Sequence, residues 1–112
     1  MTCLFCNIVN KKIPATIVYE SDTVIAFNDI SPQAPTHILV IPKQHINNIL
    51  GFTSNNATLL ADLFSAIQSI AKNNSLDNGF RVVTNTGVNG GQTVNHIHFH
   101  ILGGRILNWP PG

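Results

Sequence analysis

His96-Ile97-His98-Phe99-His100-Ile101-Leu102 alternates imidazoles with large apolar side chains. In an extended strand, successive side chains point to opposite faces. His96, His98 and His100 therefore share one face, and Ile97, Phe99 and Ile101 the other. Neighbouring imidazoles on that face stand about 6.6 Å apart, twice the rise per residue. The apolar face can bury itself in a core and hold the strand rigid. The three imidazoles then project into whatever lies opposite. A strand built only for packing would rarely carry three groups that titrate near neutral pH.

The rest of the chain supplies partners for such a strand. Leu4 to Asn10 carries apolar residues at helical spacing and predicts a short helix. Thr16 to Glu20 and Thr23 to Asn28 read as β-branched strands around a Ser21-Asp22 turn. Asp29 to Pro35 is a loop stiffened by two prolines. His37 to Pro42, almost wholly apolar, predicts a central strand. Asn47 to Phe52 suits a helical turn. From Ser54, with Thr53 or Ser54 as N-cap, runs the strongest helix. Its stripe is Leu59, Leu60, Leu63, Phe64, Ile67, Ile70 and Ala71, read as core or dimer packing. Phe80 to Asn85 predicts a fourth strand, Thr86 to Gln92 a glycine-bearing loop, and the histidine stretch the fifth strand, ended at Gly103-Gly104. The order suits an α+β domain with an antiparallel sheet, one domain over residues 1–112.

Composition narrows the function. Charged residues are 10% of the chain and the net charge is +1, so no basic stripe for nucleic acid is expected. Fourteen asparagines carry much of the polarity. No basic leader and no long apolar run is evident, which predicts a cytoplasmic protein without membrane contact. The two cysteines then read as thiols or metal ligands before a disulfide.

Just before the histidines lies Gly90-Gly91-Gln92-Thr93. Glycines let backbone N–H groups approach an anion, and Thr93 and Gln92 add side-chain donors. Donors beside aligned imidazoles suit phosphoryl chemistry, in which an imidazole attacks phosphorus and fixed donors meet the growing charge. Taken alone, the histidine face fits a metal as well as catalysis.

Asp29 to Lys43 (DISPQAPTHILVIPK), Gly90 to Val94 (GGQTV) and His96 to Gly112 (HIHFHILGGRILNWPPG) together resemble the histidine triad (HIT) family, and most of all its Hint branch of purine nucleoside phosphoramidases. The resemblance implies a HIT-like fold: a five-stranded antiparallel sheet, one long and one short helix, and a homodimer whose sheets join. It implies that His98 attacks the α-phosphorus to form a nucleotidyl-histidine, with catalytic support from His100, His96 and Thr93. Asn85 and Thr93 would bind phosphate oxygens or the leaving group, helped by the backbone around Gly91 and Gln92 and by His98 and His100. Val94 would also bind the nucleotide, and Asp29 would hold the ribose hydroxyls. Phe5, Ile8, Ile13, Phe27, Asn28 and Ile30 would form the purine slot; without the resemblance its apolar members are ordinary core candidates. Trp109 would reach the partner subunit's site. His37 would face the site, or be a buried histidine satisfied by backbone.

The substrate class implied is purine nucleoside 5′-phosphoramidates, with aminoacyl or acyl adenylates beside them. Free imidazole has a pKa of about 6.5, so neutral His98 is available near pH 7. Once protonated, it could also supply the proton the leaving amine needs. No cofactor is required for this chemistry. Having His100 rather than Gln at the third triad position points within the family to hydrolysis over transfer. Thr93 replaces a common Ser, and Asn95 a common aromatic. Cys3-x-x-Cys6 is half a zinc site, which His45 and His96 would complete by analogy with some HIT proteins; otherwise Cys6 packs on the helix and Cys3 is a free thiol. Two rival readings stand beside the enzyme: a nucleotide-binding interaction module, and a metal-dependent hydrolase using the His96, His98 and His100 face.

Overall fold

A computed structural model describes residues 3–112. Five strands form one antiparallel sheet: β1 (Ile17–Glu20), β2 (Val24–Asn28), β3 (Thr36–Pro42), β4 (Phe80–Val83) and β5 (Phe99–Gly103), in the order β1-β2-β3-β5-β4. The expectation for β3 holds, since it is the middle strand and buried from His37 to Pro42. Two helices flank the sheet, α1 (Leu4–Val9) and α2 (Ala57–Asn73).

Strand periodicity gives the sheet two cores. Ile38 and Val40 of β3, with Ile97, Phe99 and Ile101, pack on the α2 side. Leu39 and Ile41 face the other way, onto Phe5 and Ile8 of α1. So one face of the sheet is closed by a long helix. The other is only partly covered by a short one, and that leaves room for a site.

Helix α2 begins three residues later than expected, at Ala57. Ser54–Asn56 is a 3₁₀ turn capped by the Thr53 side chain, with Asn56 answering in a capping box, and it runs straight into α2. Leu59, Leu63, Ala66, Ile67, Ile70 and Ala71 are buried. Leu60 and Phe64 are not; they sit at the rim of the stripe, 40% and 52% exposed. The predicted turn at Asn47 to Phe52 is a 3₁₀ turn over Ile49–Gly51, capped by the Asn48 side chain. Helix α1 is capped by Cys3 Sγ, which accepts from the Cys6 N–H. It ends where Lys11 turns to φ 62°. Lys11 and Lys43 both pair with Glu20, at 2.8 and 2.9 Å, tying the end of α1 to β1 and β3.

The fifth strand is the main correction. Its ladder starts at Phe99, not His96. The pairing stops on both sides there: β3 pairs with β5 only as far as Val40, opposite Phe99, and β4 ends at Val83, opposite His100. His96, Ile97 and His98 continue outside the ladder, held by Ile97 N–H to Ile46 O and by Thr84 Oγ1 to His98 O. At the other end, Gly104 turns at φ 90°, where a Cβ would lie 2.8 Å from Pro35 Cβ.

Leu63 is fully buried between α2 and the sheet. Leu63→Ala is expected to cost about 2–5 kcal/mol, and Leu60→Ala well under half of that. Urea denaturation of both variants checks this; equal losses would contradict the packing.

Candidate active site

A cleft of about 760 Å³ opens on the face of the sheet that α1 only partly covers. Its apolar end is walled by Phe5, Ile8, Ile13, Phe27, Ile30 and Leu39, and its polar end by Asn28, Asp29, Thr93, His98 and His100. Every residue expected in the purine slot lines it. Leu4, Pro14, Ala15, Thr16 and Leu39 line it too and were not anticipated. Leu39 was legible, because it shares a strand face with His37; the others belong to loop and helix ends with no periodic signal.

Hydrogen bonds settle the imidazole tautomers. His98 Nδ1 lies 2.8 Å from the carbonyl of His96. A carbonyl only accepts, so Nδ1 carries the proton and Nε2 keeps a bare lone pair. Phe5 packs edge-on against this ring, centroids 5.1 Å apart at 88°.

His100 belongs to a second chain of contacts. The Gln33 N–H donates to His37 Nδ1 at 3.0 Å, so His37 holds its proton on Nε2. That Nε2–H points to His100 Nδ1 at 2.9 Å and lies 3.4 Å from Asp29 Oδ2. His100 in its neutral form then carries its proton on Nε2. Asp29, His37 and His100 could group around a metal. A protonated Nε2 between them is a hydrogen-bond donor and not a ligand. His37 does not line the cleft; it is a buried histidine supported by the Gln33 backbone, and it meets the cleft residues His100 and Asp29 from behind. Burial pushes His37 below its ordinary pKa, with Asp29 opposing. Burial, with His98 and His37 nearby, lowers His100 to about 4, again against Asp29.

His96 parts company with the other two. It is fully buried and does not line the cleft. Its Nε2–H donates to Pro42 O at 2.8 Å, which leaves Nδ1 bare, 3.5 Å from Cys3 Sγ and 3.6 Å from Cys6 Sγ. Burial lowers its pKa, partly opposed by the Pro42 bond. His45 mirrors it: Nε2 bonds Asn47 Oδ1 at 2.8 Å and Nδ1 sits 3.2 Å from Cys6 Sγ. Burial first, and then Cys3, push the Cys6 thiol up to about 11.

The ligand atoms of Cys3, Cys6, His45 and His96 all lie within 4.8 Å of one another. Tetrahedral zinc with S and N ligands needs S···N separations of about 3.6 Å. The contacts of 3.2, 3.5 and 3.6 Å fit that spacing. Each imidazole also donates its far N–H to an oxygen, as metal-bound histidines do.

The loop before the triad is more self-contained than expected. The N–H groups of Gly91 and Gln92 bond Val88 O and Gly87 O, so neither is free for an anion. Asn85 Nδ2 bonds Gly90 O. The Gln92 amide accepts from Gly87 N–H and donates to Asn47 O and Val94 O. Asn85, Gly91 and Gln92 are absent from the cleft wall and shape the loop that presents Thr93 and Val94. Trp109 is 81% exposed and outside the cleft; the tail before it is held by Arg81 to the carbonyls of Leu107 and Asn108. Among the described residues no helix is long and apolar enough to cross a membrane.

The model of the HIT domain matches residues 10–107. An uncharacterised HIT-like protein of Synechococcus elongatus is 53% identical over 109 residues, 97% of this chain and 96% of the relative. A 14 kDa zinc-binding protein of Zea mays is 47% identical over 111 residues, 97% of this chain and 87% of the relative. A HIT family hydrolase from Legionella pneumophila Philadelphia 1 superposes with a TM-score of 0.97 at 47% identity, covering 99% of this chain and 100% of that one.

Burial disfavours the charged forms of His37 and His100 in the native state. Unfolded histidines take up protons below about pH 6.5, whereas native His100 does so only near pH 4. Between those values the unfolded chain binds more protons, so stability rises with pH through this window and is lost as pH falls. Urea midpoints should drop from pH 7 to about pH 4.5, and His100→Asn should shrink that drop. A drop of the same size in the variant would assign the acid sensitivity elsewhere.

Proposed function

This chain belongs to the HIT domain family, and from that premise we propose that it is a hydrolase of purine nucleoside 5′-phosphoramidates, with acyl and aminoacyl adenylates as related substrates. One observation carries the reading. His98 offers an unprotonated Nε2 at the polar end of an apolar cleft, with its other nitrogen locked to a carbonyl. A lone pair held ready needs no general base.

The apolar walls suit a flat purine, sandwiched by Phe5, Ile8, Ile13 and Phe27. Asp29 Oδ1 already accepts from Ser31 N–H at 2.8 Å and so holds the carboxylate at the cleft mouth for the ribose hydroxyls. Phosphorus then sits before His98. Neutral His100 donates Nε2–H, and Thr93 its hydroxyl, to phosphoryl or bridging atoms.

In the first step His98 Nε2 bonds phosphorus and the P–N bond to the amine breaks. The amine takes up one proton from solvent. In-line attack puts the amine opposite Nε2, so this proton cannot come from His98 as its sequence alone would allow. The cationic nucleotidyl-histidine keeps Nδ1–H on the His96 carbonyl. Water then attacks phosphorus, the P–His98 bond breaks, and nucleoside monophosphate and one proton leave. His96 acts only through its carbonyl.

Zinc is the metal best suited to Cys3, Cys6, His45 and His96, given two sulfur and two nitrogen donors at tetrahedral spacing. It would be structural there, its four positions filled by protein. Relatives called zinc-binding proteins support this assignment. We extend the proposal to a homodimer joined through edge strand β4, whose Phe80 and Val82 are 40% and 41% exposed, with Trp109 serving the partner's cleft.

Intact mass after brief mixing with adenosine phosphoramidate and rapid quench should show a gain of one nucleotidyl group. His98→Ala should show none, and should lower kcat/KM by about 10³-fold or more while still binding AMP. Undiminished turnover in that variant would end this reading.

A further inference from the structure

The Cys3, Cys6, His45 and His96 cluster lies outside the cleft, yet three separate contacts tie it to the cleft walls. Phe5, between the two cysteines in sequence, is 4% exposed. It packs edge-on against His98, His96 and Phe27 at 5.1, 6.0 and 5.4 Å. His96 holds His98 in its tautomer through its own carbonyl. His45 is tied to Asn47 through Oδ1, and the Asn47 carbonyl accepts the Gln92 Nε2–H at 2.7 Å. Gln92 in turn closes the loop that presents Thr93.

The purine wall, the nucleophile and the phosphate loop thus each hang from one cluster residue. Apart from the cluster, α1 is held by Phe5 and Ile8 against the sheet and by the Lys11–Glu20 pair, while the loop walls have no such core. Helix α1 has six residues, and the segments around Asn47 and Gln92 belong to no strand. A six-residue helix is marginal without a tertiary anchor.

We propose that a divalent cation on Cys3, Cys6, His45 and His96 and a nucleotide in the cleft bind cooperatively, with Asn47 as the positioning residue that carries the coupling to the phosphate loop. The cooperation rests on the nucleotide reading given above. Each ligand orders segments that the other needs ordered, so the second to bind loses less conformational freedom. Linkage makes the effect reciprocal: the factor by which zinc tightens nucleotide binding is the factor by which nucleotide tightens zinc.

The test uses the full chain, Zn²⁺ and AMP. Calorimetry should give an AMP Kd about tenfold tighter for zinc-loaded than for chelator-stripped protein, within the usual range of such couplings. Zinc affinity, from competition with a chromophoric chelator, should rise by the same factor with saturating AMP. Ring ¹⁵N signals of His98 should show the Nδ1–H tautomer in the loaded form and a tautomer mixture after stripping, a change that a merely stabilising metal would not produce.

If far-UV circular dichroism shows the stripped chain unfolded, zinc-loaded Asn47→Ala decides. It should bind AMP several-fold more weakly than loaded wild type, while adenosine, which lacks the phosphate, binds as before. Equal AMP affinity in loaded and stripped folded protein, or in loaded wild type and Asn47→Ala where the stripped chain unfolds, overturns the cooperation and leaves the nucleotide reading standing. No AMP binding to either form overturns both.

Discussion

A single hydrogen bond organises this molecule's chemistry: His98 Nδ1–H to the carbonyl of His96, at 2.8 Å. An imidazole in water exchanges tautomers freely, and either nitrogen can be the bare one. Here the choice is made by backbone two residues away, in a stretch without ladder partners on either side. The carbonyl is in turn held in place because the His96 ring is buried and fixed at both nitrogens, one to Pro42 O and one toward the cysteine sulfurs. A lone pair becomes dependable only when every neighbour of its ring is itself anchored.

Much of this was legible in the residues. Alternation in the triad stretch correctly separated Ile97, Phe99 and Ile101, which join the α2 core, from His98 and His100, which reach the cleft. The apolar run of β3 announced a central strand, and the stripe of α2 announced its buried face. The slot residues from Phe5 to Ile30 were found through family resemblance; their apolar character alone would have made them core.

What escaped was long-range. Local alternation cannot say where a ladder loses its partners, so it predicts a strand from His96, three residues before the ladder begins. Nor can it show that His96, on the right face, is drawn under α1 toward two cysteines. The contact of His37 with His100 depends on the β3–β5 register, in which His37 stands opposite Leu102 and reaches His100 diagonally. Gln33, which fixes the His37 tautomer, and Asn47, which links His45 to the loop, carry no signal of their own. Glycines promised free N–H donors, but a loop that must fold has first claim on them.

The turn at Gly104 leaves this architecture little evolutionary latitude. Pro35 occupies the space where even a methyl group would sit, and Arg105 reaches from the next position to the carbonyl of Gln33. The loop that supplies Asp29 and Gln33 is thereby clasped to the far end of the strand that bears His100. The exposed tail is free of this constraint, but an insertion or a side chain at this clasp would misalign two imidazoles some distance away. Such a position is guarded by sterics alone, and a catalogue of reactive groups would overlook it.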